Sequence, residues 1–149
     1  MNYSEHHIVL AEIPGEVSLS FSVTGCGMCC RGCHSPELQI SSNGSPLTPE
    51  LLKSLIEENK GFITCVLFLG GDWEPLELLP LLDIVKQSKL KSALYTSRTG
   101  VSSRLKERLD YIKTGAYIER LGGLQSPTTN QRLIEVSTNT DLTHKFWRK

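Results

Sequence analysis

Several things are missing from this chain. It has no surplus charge of either sign, since 16 lysines and arginines face 16 aspartates and glutamates. A nucleic acid or an anionic membrane is therefore not drawn in by a net field, and neither is expected as a partner. Aromatic residues are sparse, at 7%. No apolar run reaches the length that spans a bilayer. The N-terminal stretch MNYSEHHIVLAEIPGE lacks the basic-then-apolar order of a secretory signal. These absences lead us to expect a cytoplasmic protein, and in that compartment thiols stay reduced. Low-complexity segments and internal repeats are also missing. A length of 149 residues suits a single domain running from residue 1 to 149.

Against this background the cysteines stand out. Four of the five fall within GCGMCCRGCHSPEL, residues 25–38, and the fifth is Cys65. An odd count in a reducing compartment argues against a disulfide framework and for a metal or cluster. One reading pairs Cys26 with Cys29 and Cys30 with Cys33 as a four-thiolate zinc site. Zinc ribbons and fingers separate their two ligand pairs by a long spacer, and here the pairs abut. A second reading takes Cys26, Cys30 and Cys33, spaced C-x3-C-x2-C, and leaves Cys29 aside. Three thiolates on one loop can hold three corners of a cubane iron–sulfur cluster, leaving one iron without a protein ligand. Cys65 falls in an apolar run and reads as a small core residue.

The remaining pattern alternates strands with helices. Val17, Leu19, Phe21 and Val23 alternate with serines and Thr24, which predicts a strand with one buried face. Thr48 and Pro49 open a helix carrying the stripe Leu51, Leu52, Leu55 and Ile56, with Gly61 as its stop. Residues 62–69, FITCVLFL, read as a strand buried on both faces. Residues 72–78 are expected as loop, followed by a helix with Pro80 in its first turn. Further strands are predicted at 92–97, 111–115 and 132–137, a short helix at 101–109, and an edge strand in HHIVLAEI. This order predicts an α/β fold with mainly parallel strands. The chain is too short for a complete eight-unit barrel, so an open partial (β/α) barrel is expected. The cysteine loop, Gly70-Gly71-Asp72, Tyr95-Thr96-Ser97 and Lys113-Thr114-Gly115 then share the rim at the strands' carboxyl ends, where such folds bind ligands.

The C-x3-C-x2-C spacing resembles the signature of the radical S-adenosylmethionine enzymes. Together with GCHSPEL, GGD, LYT and DYIKTGAYIERLGGLQSPTTNQRL, the chain resembles the activating proteins of anaerobic ribonucleoside-triphosphate reductase over roughly residues 7–137. The resemblance implies a radical S-adenosylmethionine type of partial barrel. It implies a [4Fe–4S] cluster on Cys26, Cys30 and Cys33, with S-adenosylmethionine chelating the open iron. It implies an enzyme that cleaves this cofactor reductively, with a flavodoxin or ferredoxin as electron donor, and makes a glycyl radical on the partner reductase.

On the same basis Gly70, Gly71 and Asp72 hold the cofactor's amino group. The family commonly runs from this acidic residue directly into Pro-Leu, whereas here Trp73 and Glu74 intervene, so that Asp72 and Glu74 are both candidates. Thr96 and Lys113 are candidate contacts to its ribose or carboxylate. His34 lies either near the adenine or in a backbone hydrogen bond. Asn130 and Gln131 shape either a partner interface or an ordinary turn, and the tail HKFWRK is either solvated or a docking element. The alternatives are a non-catalytic iron–sulfur or zinc protein for redox sensing or electron transfer, and an activase of a different glycyl-radical enzyme.

Overall fold

A computed structural model describes residues 1–147. Its described strands form one eight-stranded open sheet in the order β3-β1-β2-β4-β5-β6-β7-β8. These strands are β1 (Asn2–Val9), β2 (Ser18–Val23), β3 (Ser45–Pro46), β4 (Cys65–Leu69), β5 (Lys91–Tyr95), β6 (Tyr111–Thr114), β7 (Arg132–Glu135) and β8 (Thr140–Asp141). The helices are α1 (Pro49–Glu58), α2 (Pro75–Gln87) and α3 (Ser103–Lys106).

This architecture corrects the expected partial barrel with mainly parallel strands. Four of the seven strand pairings are antiparallel: β1 with β2, β1 with β3, β6 with β7 and β7 with β8. Only β2, β4, β5 and β6 run parallel to their neighbours in three pairings. The connections explain the mixture. A parallel pairing needs a crossover, and the chain supplies a helix for each of three. At both ends it turns back instead. β1 enters β2 through the turn around Gly15, and the irregular segment 115–131 returns the chain into β7 antiparallel to β6. The sheet stays an open, mixed one.

Local signals account for the helices. Thr48 accepts a hydrogen bond from the Leu51 amide at 3.1 Å and caps α1. Leu52, Leu55 and Ile56 face the core. α2 starts at Pro75, five residues before Pro80, which therefore sits inside the helix and not in its first turn. Pro75 supplies the pre-set first position, and Pro80 lies on the exposed side, where its missing N–H leaves the Leu76 carbonyl to solvent. α3 is a single turn within the helix expected at 101–109, capped by Ser102, whose hydroxyl accepts from the Leu105 amide at 3.5 Å.

Two apolar clusters flank the sheet. The larger joins α1 and α2 to Leu19, Phe21, Phe68 and Leu94, with Phe21 and Phe68 stacked at 5.9 Å. Each such fully buried large side chain contributes roughly 1.5–3 kcal/mol. The smaller contains Ile13, Cys65, Leu67, Ala93, Tyr111, Leu133 and Leu142. This second cluster is why β2 departs from expectation: all six of its residues are buried, serines included. The segment before β2 folds over that face, with the Tyr95 hydroxyl donating to the Glu12 carbonyl. HHIVLAEI also differs. The strand begins at Asn2, ends at Val9, and lies between β2 and the short β3.

Candidate functional site: a thiol recess at the carboxyl ends of the parallel strands

The chain leaves β2 at Val23 and enters a long irregular loop whose backbone is tied at its base. The amides of Gly25 and Cys26 both donate to the Leu38 carbonyl, at 2.7 and 3.1 Å. Within the loop Cys33 N–H donates to the Cys30 carbonyl at 3.1 Å, and Ser35 N–H donates to Cys33 Sγ at 3.5 Å. Cys29 has φ of +47°, unusual for a residue with a side chain. This bend separates the neighbouring side chains, leaving Cys29 exposed and Cys30 half-buried.

All four loop thiols border a recess of about 280 Å³. Its walls include Val23, Met28, Leu69, Gly70, Trp73, Thr96 and Lys113. A second recess of about 200 Å³ adjoins it, bordered by Cys26, Met28, Asp72, Trp73, Thr96 and Arg98. The structure thus brings Cys26, Cys30 and Cys33 to one cavity with Gly70, Thr96 and Lys113, and sets Asp72 beside it. Among the described residues no three His, Cys, Asp or Glu side chains converge as they do around a single metal ion. Thiolates on different irons of a cubane stand farther apart than ligands of one ion. The donor set fits such a cluster: soft sulfur donors, partly apolar walls, and one sulfur already accepting a backbone N–H.

Asp72 is 7% exposed, and its two oxygens differ. Oδ2 accepts from Thr96 Oγ1 at 3.1 Å and lies 3.4 Å from Arg98 Nε. Oδ1 is buried and has no hydrogen-bond partner. Gly70 and Gly71 precede it with φ of +98° and +106°, in the region that favours glycine. At Gly70 a Cβ would also collide with Cη2 of Trp73, and at Gly71 it would approach the Met1 sulfur at 2.8 Å. Glu74, the other acidic candidate, occupies the turn before α2 and borders neither recess.

Thr96 is committed: its hydroxyl serves Asp72 on one side and accepts the Arg98 amide at 3.0 Å on the other. Lys113 is 7% exposed, donates to the Gly115 carbonyl at 3.2 Å, and lies 5.5 Å from the centre of the Tyr95 ring. Burial pushes its ammonium down to about 8, against the pull of a Cys30 thiolate.

His34 packs against Tyr117 at 4.8 Å between ring centres and lies outside both recesses. Asn130 and Gln131 donate to the carbonyls of Ala116 and Gly115 and hold the turn after β6. Cys65 sits in the smaller apolar cluster, and burial pushes its thiol up to about 12. In the tail Trp147 is partly exposed, whereas Arg148 and Lys149 lie outside the described residues. Sequence reasoning placed Tyr95 on the rim, and it does line the larger recess; it named Trp73 only as an insertion and missed Met28 and Arg98 as wall residues. Arg98 had a signal, since it follows Thr96 by two residues at a predicted strand end. Met28 had none beyond lying between two cysteines.

A thiol loop opening into a recess at the end of a sheet is the setting of a soft-metal or iron–sulfur centre. The comparison with known families makes this definite: the model of the 4Fe-4S single cluster domain matches residues 13–115, more than half of the chain, and the chain belongs to that family. No curated protein and no solved structure matches it. Among the described residues no helix is long and apolar enough to cross a membrane.

Proposed function

We propose that this iron–sulfur protein is an S-adenosylmethionine-dependent activase that generates the glycyl radical of anaerobic ribonucleoside-triphosphate reductase. The observation that supports the reading most directly is Asp72, whose buried, unpartnered Oδ1 stands beside the thiol recess. Oδ2 is paired with Thr96 and Arg98, but an electron carrier has no use for a second carboxylate oxygen buried without a donor, and such an atom is costly to keep. A cofactor that brings an ammonium to the cluster removes the cost. When bound, a [4Fe–4S] cluster and S-adenosylmethionine supply one-electron cleavage of a carbon–sulfur bond, yielding methionine and the 5′-deoxyadenosyl radical that takes hydrogen from a partner's glycine.

The chain's residues divide the remaining work. Cys26, Cys30 and Cys33 hold the cluster. Asp72 accepts the ammonium, kept in place by Thr96 and Arg98. Gly70 and Gly71 make the left-handed turn that carries Asp72 from the end of β4 to the recess, packed too closely against Trp73 and Met1 to admit a Cβ. Lys113 faces the recess as the nearest buried cation for the cofactor's carboxylate. Val23, Leu69, Met28 and Trp73 exclude water around a species that attacks the nearest C–H bond. A flavodoxin or ferredoxin serves as reductant. A non-catalytic electron-transfer protein is the second reading. It is favoured by Cys29, a fourth thiol on the same recess.

The deciding experiment is anaerobic. The protein is reconstituted with iron and sulfide, reduced, and given S-adenosylmethionine with and without the reductase, and 5′-deoxyadenosine is measured by mass. Its formation is expected, with a glycyl-radical signal when the reductase is present. A reduced, intact cluster that leaves the cofactor whole in both mixtures would overturn the reading. Cleavage without a radical on this reductase would point to another glycyl-radical enzyme.

A further inference from the structure

The structure leaves a second buried polar group unexplained at the same place. Nε1 of Trp73 is enclosed and has no hydrogen-bond acceptor. Most buried N–H groups are paired, and here neither the Cys26 sulfur nor any other atom among the described residues accepts from Nε1. The ring cannot easily turn to find another. It is wedged between two glycines, both with φ of +98°. Its Cη2 edge fills the place of a Cβ at Gly70, and Nε1 lies 3.2 Å from where a Cβ at Gly25 would be. The nitrogen therefore lies at the residue just before Cys26. Of the four loop thiols, Cys26 borders both recesses, as Trp73 does.

We propose that Trp73 is a positioning residue of the cluster, whose indole N–H donates a hydrogen bond to the Cys26 sulfur when that sulfur ligates iron and so sets the potential at which the cluster accepts an electron. This rests on reading the thiol loop as the cluster site, but not on the choice of cofactor or partner. A thiolate bound to iron carries the negative charge that an N–H seeks. Hydrogen bonds to cluster sulfurs are among the levers that set the potential. Reduction adds negative charge, so a donated N–H stabilises the reduced state more than the oxidised one and raises the potential. In a partly apolar recess the effect is stronger than in bulk solvent. Trp73 thereby stands in the wall between the two recesses and supplies a donor there.

The test is Trp73→Phe, which keeps an aromatic ring between the glycines and removes the N–H. The full chain is reconstituted anaerobically without S-adenosylmethionine, and the midpoint potential is read by titration with electron paramagnetic resonance. A more negative midpoint at unchanged iron and sulfide content is expected. An unchanged midpoint at unchanged iron content overturns the proposal. Should the variant fail to hold a cluster, wild-type protein labelled with ¹⁵N in its indoles decides. Hyperfine coupling of one indole nitrogen to the reduced cluster is expected, and it persists in Trp147→Phe. Absence of that coupling overturns the proposal. Wild-type protein that binds no iron and sulfide overturns the underlying cluster reading, and this proposal with it.

Discussion

The two ends of the parallel strands β2, β4, β5 and β6 are built on opposite terms. At the amino ends polar groups find partners within the chain. Thr64 receives the Val17 amide at 2.9 Å, Tyr111 donates to Glu16 at 2.9 Å, and Asp110 receives the Ser92 amide at 2.9 Å. Arg108 meets Asp83 at 2.8 Å and Lys91 meets Asp110 at 3.7 Å. The exception there is Ser18, whose buried hydroxyl faces the Cys65 thiol, a weak partner. At the carboxyl ends Asp72 Oδ1 and Trp73 Nε1 are buried without partners, beside four free thiols. Closed hydrogen bonding at one end stabilises the sheet. Incomplete hydrogen bonding at the other marks groups arranged for something the polypeptide does not contain.

The comparison is broken most completely by removing a cluster ligand. Cys30→Ala is expected to abolish assembly, whereas Cys29→Ala retains iron and sulfide near the wild-type level. Iron and sulfide analysis after anaerobic reconstitution checks this, and equal loss in both variants would refute the ligand assignment. A smaller effect is expected from Gly70→Ala, which places a Cβ against Trp73 in a left-handed backbone position. It should cost about 2 kcal/mol or more, read as a lowered urea midpoint of the apoprotein. The smallest belongs to the amino end. Arg108→Ala removes a partly exposed ion pair and should cost less than about 1 kcal/mol in the same measurement. A larger loss at Arg108 than at Gly70 would reverse the contrast between the two ends.

The candidate site was legible in unequal parts. The cysteine spacing and Gly70-Gly71-Asp72 carry their chemistry in short contiguous runs, and the structure brings both to adjoining recesses. The choice between Asp72 and Glu74 was not legible. It depends on how the turn into α2 runs, which sets Asp72 at the recess and leaves Glu74 bordering neither one. The role of Trp73 was equally hidden, because it arises from Gly25, some fifty residues earlier in the chain, lying against its ring.

What the sequence alone determined was local. It set the C-x3-C-x2-C spacing, the Thr48 cap of α1, the apolar run of β4, and the absence of any net charge. These follow from short-range patterning and from the chemistry of neighbouring side chains. Only the tertiary structure decided the direction of the outer strands, the burial of both faces of β2, and the seating of Trp73 against Gly25 beside Cys26. Those outcomes depend on how segments far apart in the chain are paired. The alternating pattern that marks β2 as a strand does not say what will cover its serine face, and the same apolar period serves a strand running either way.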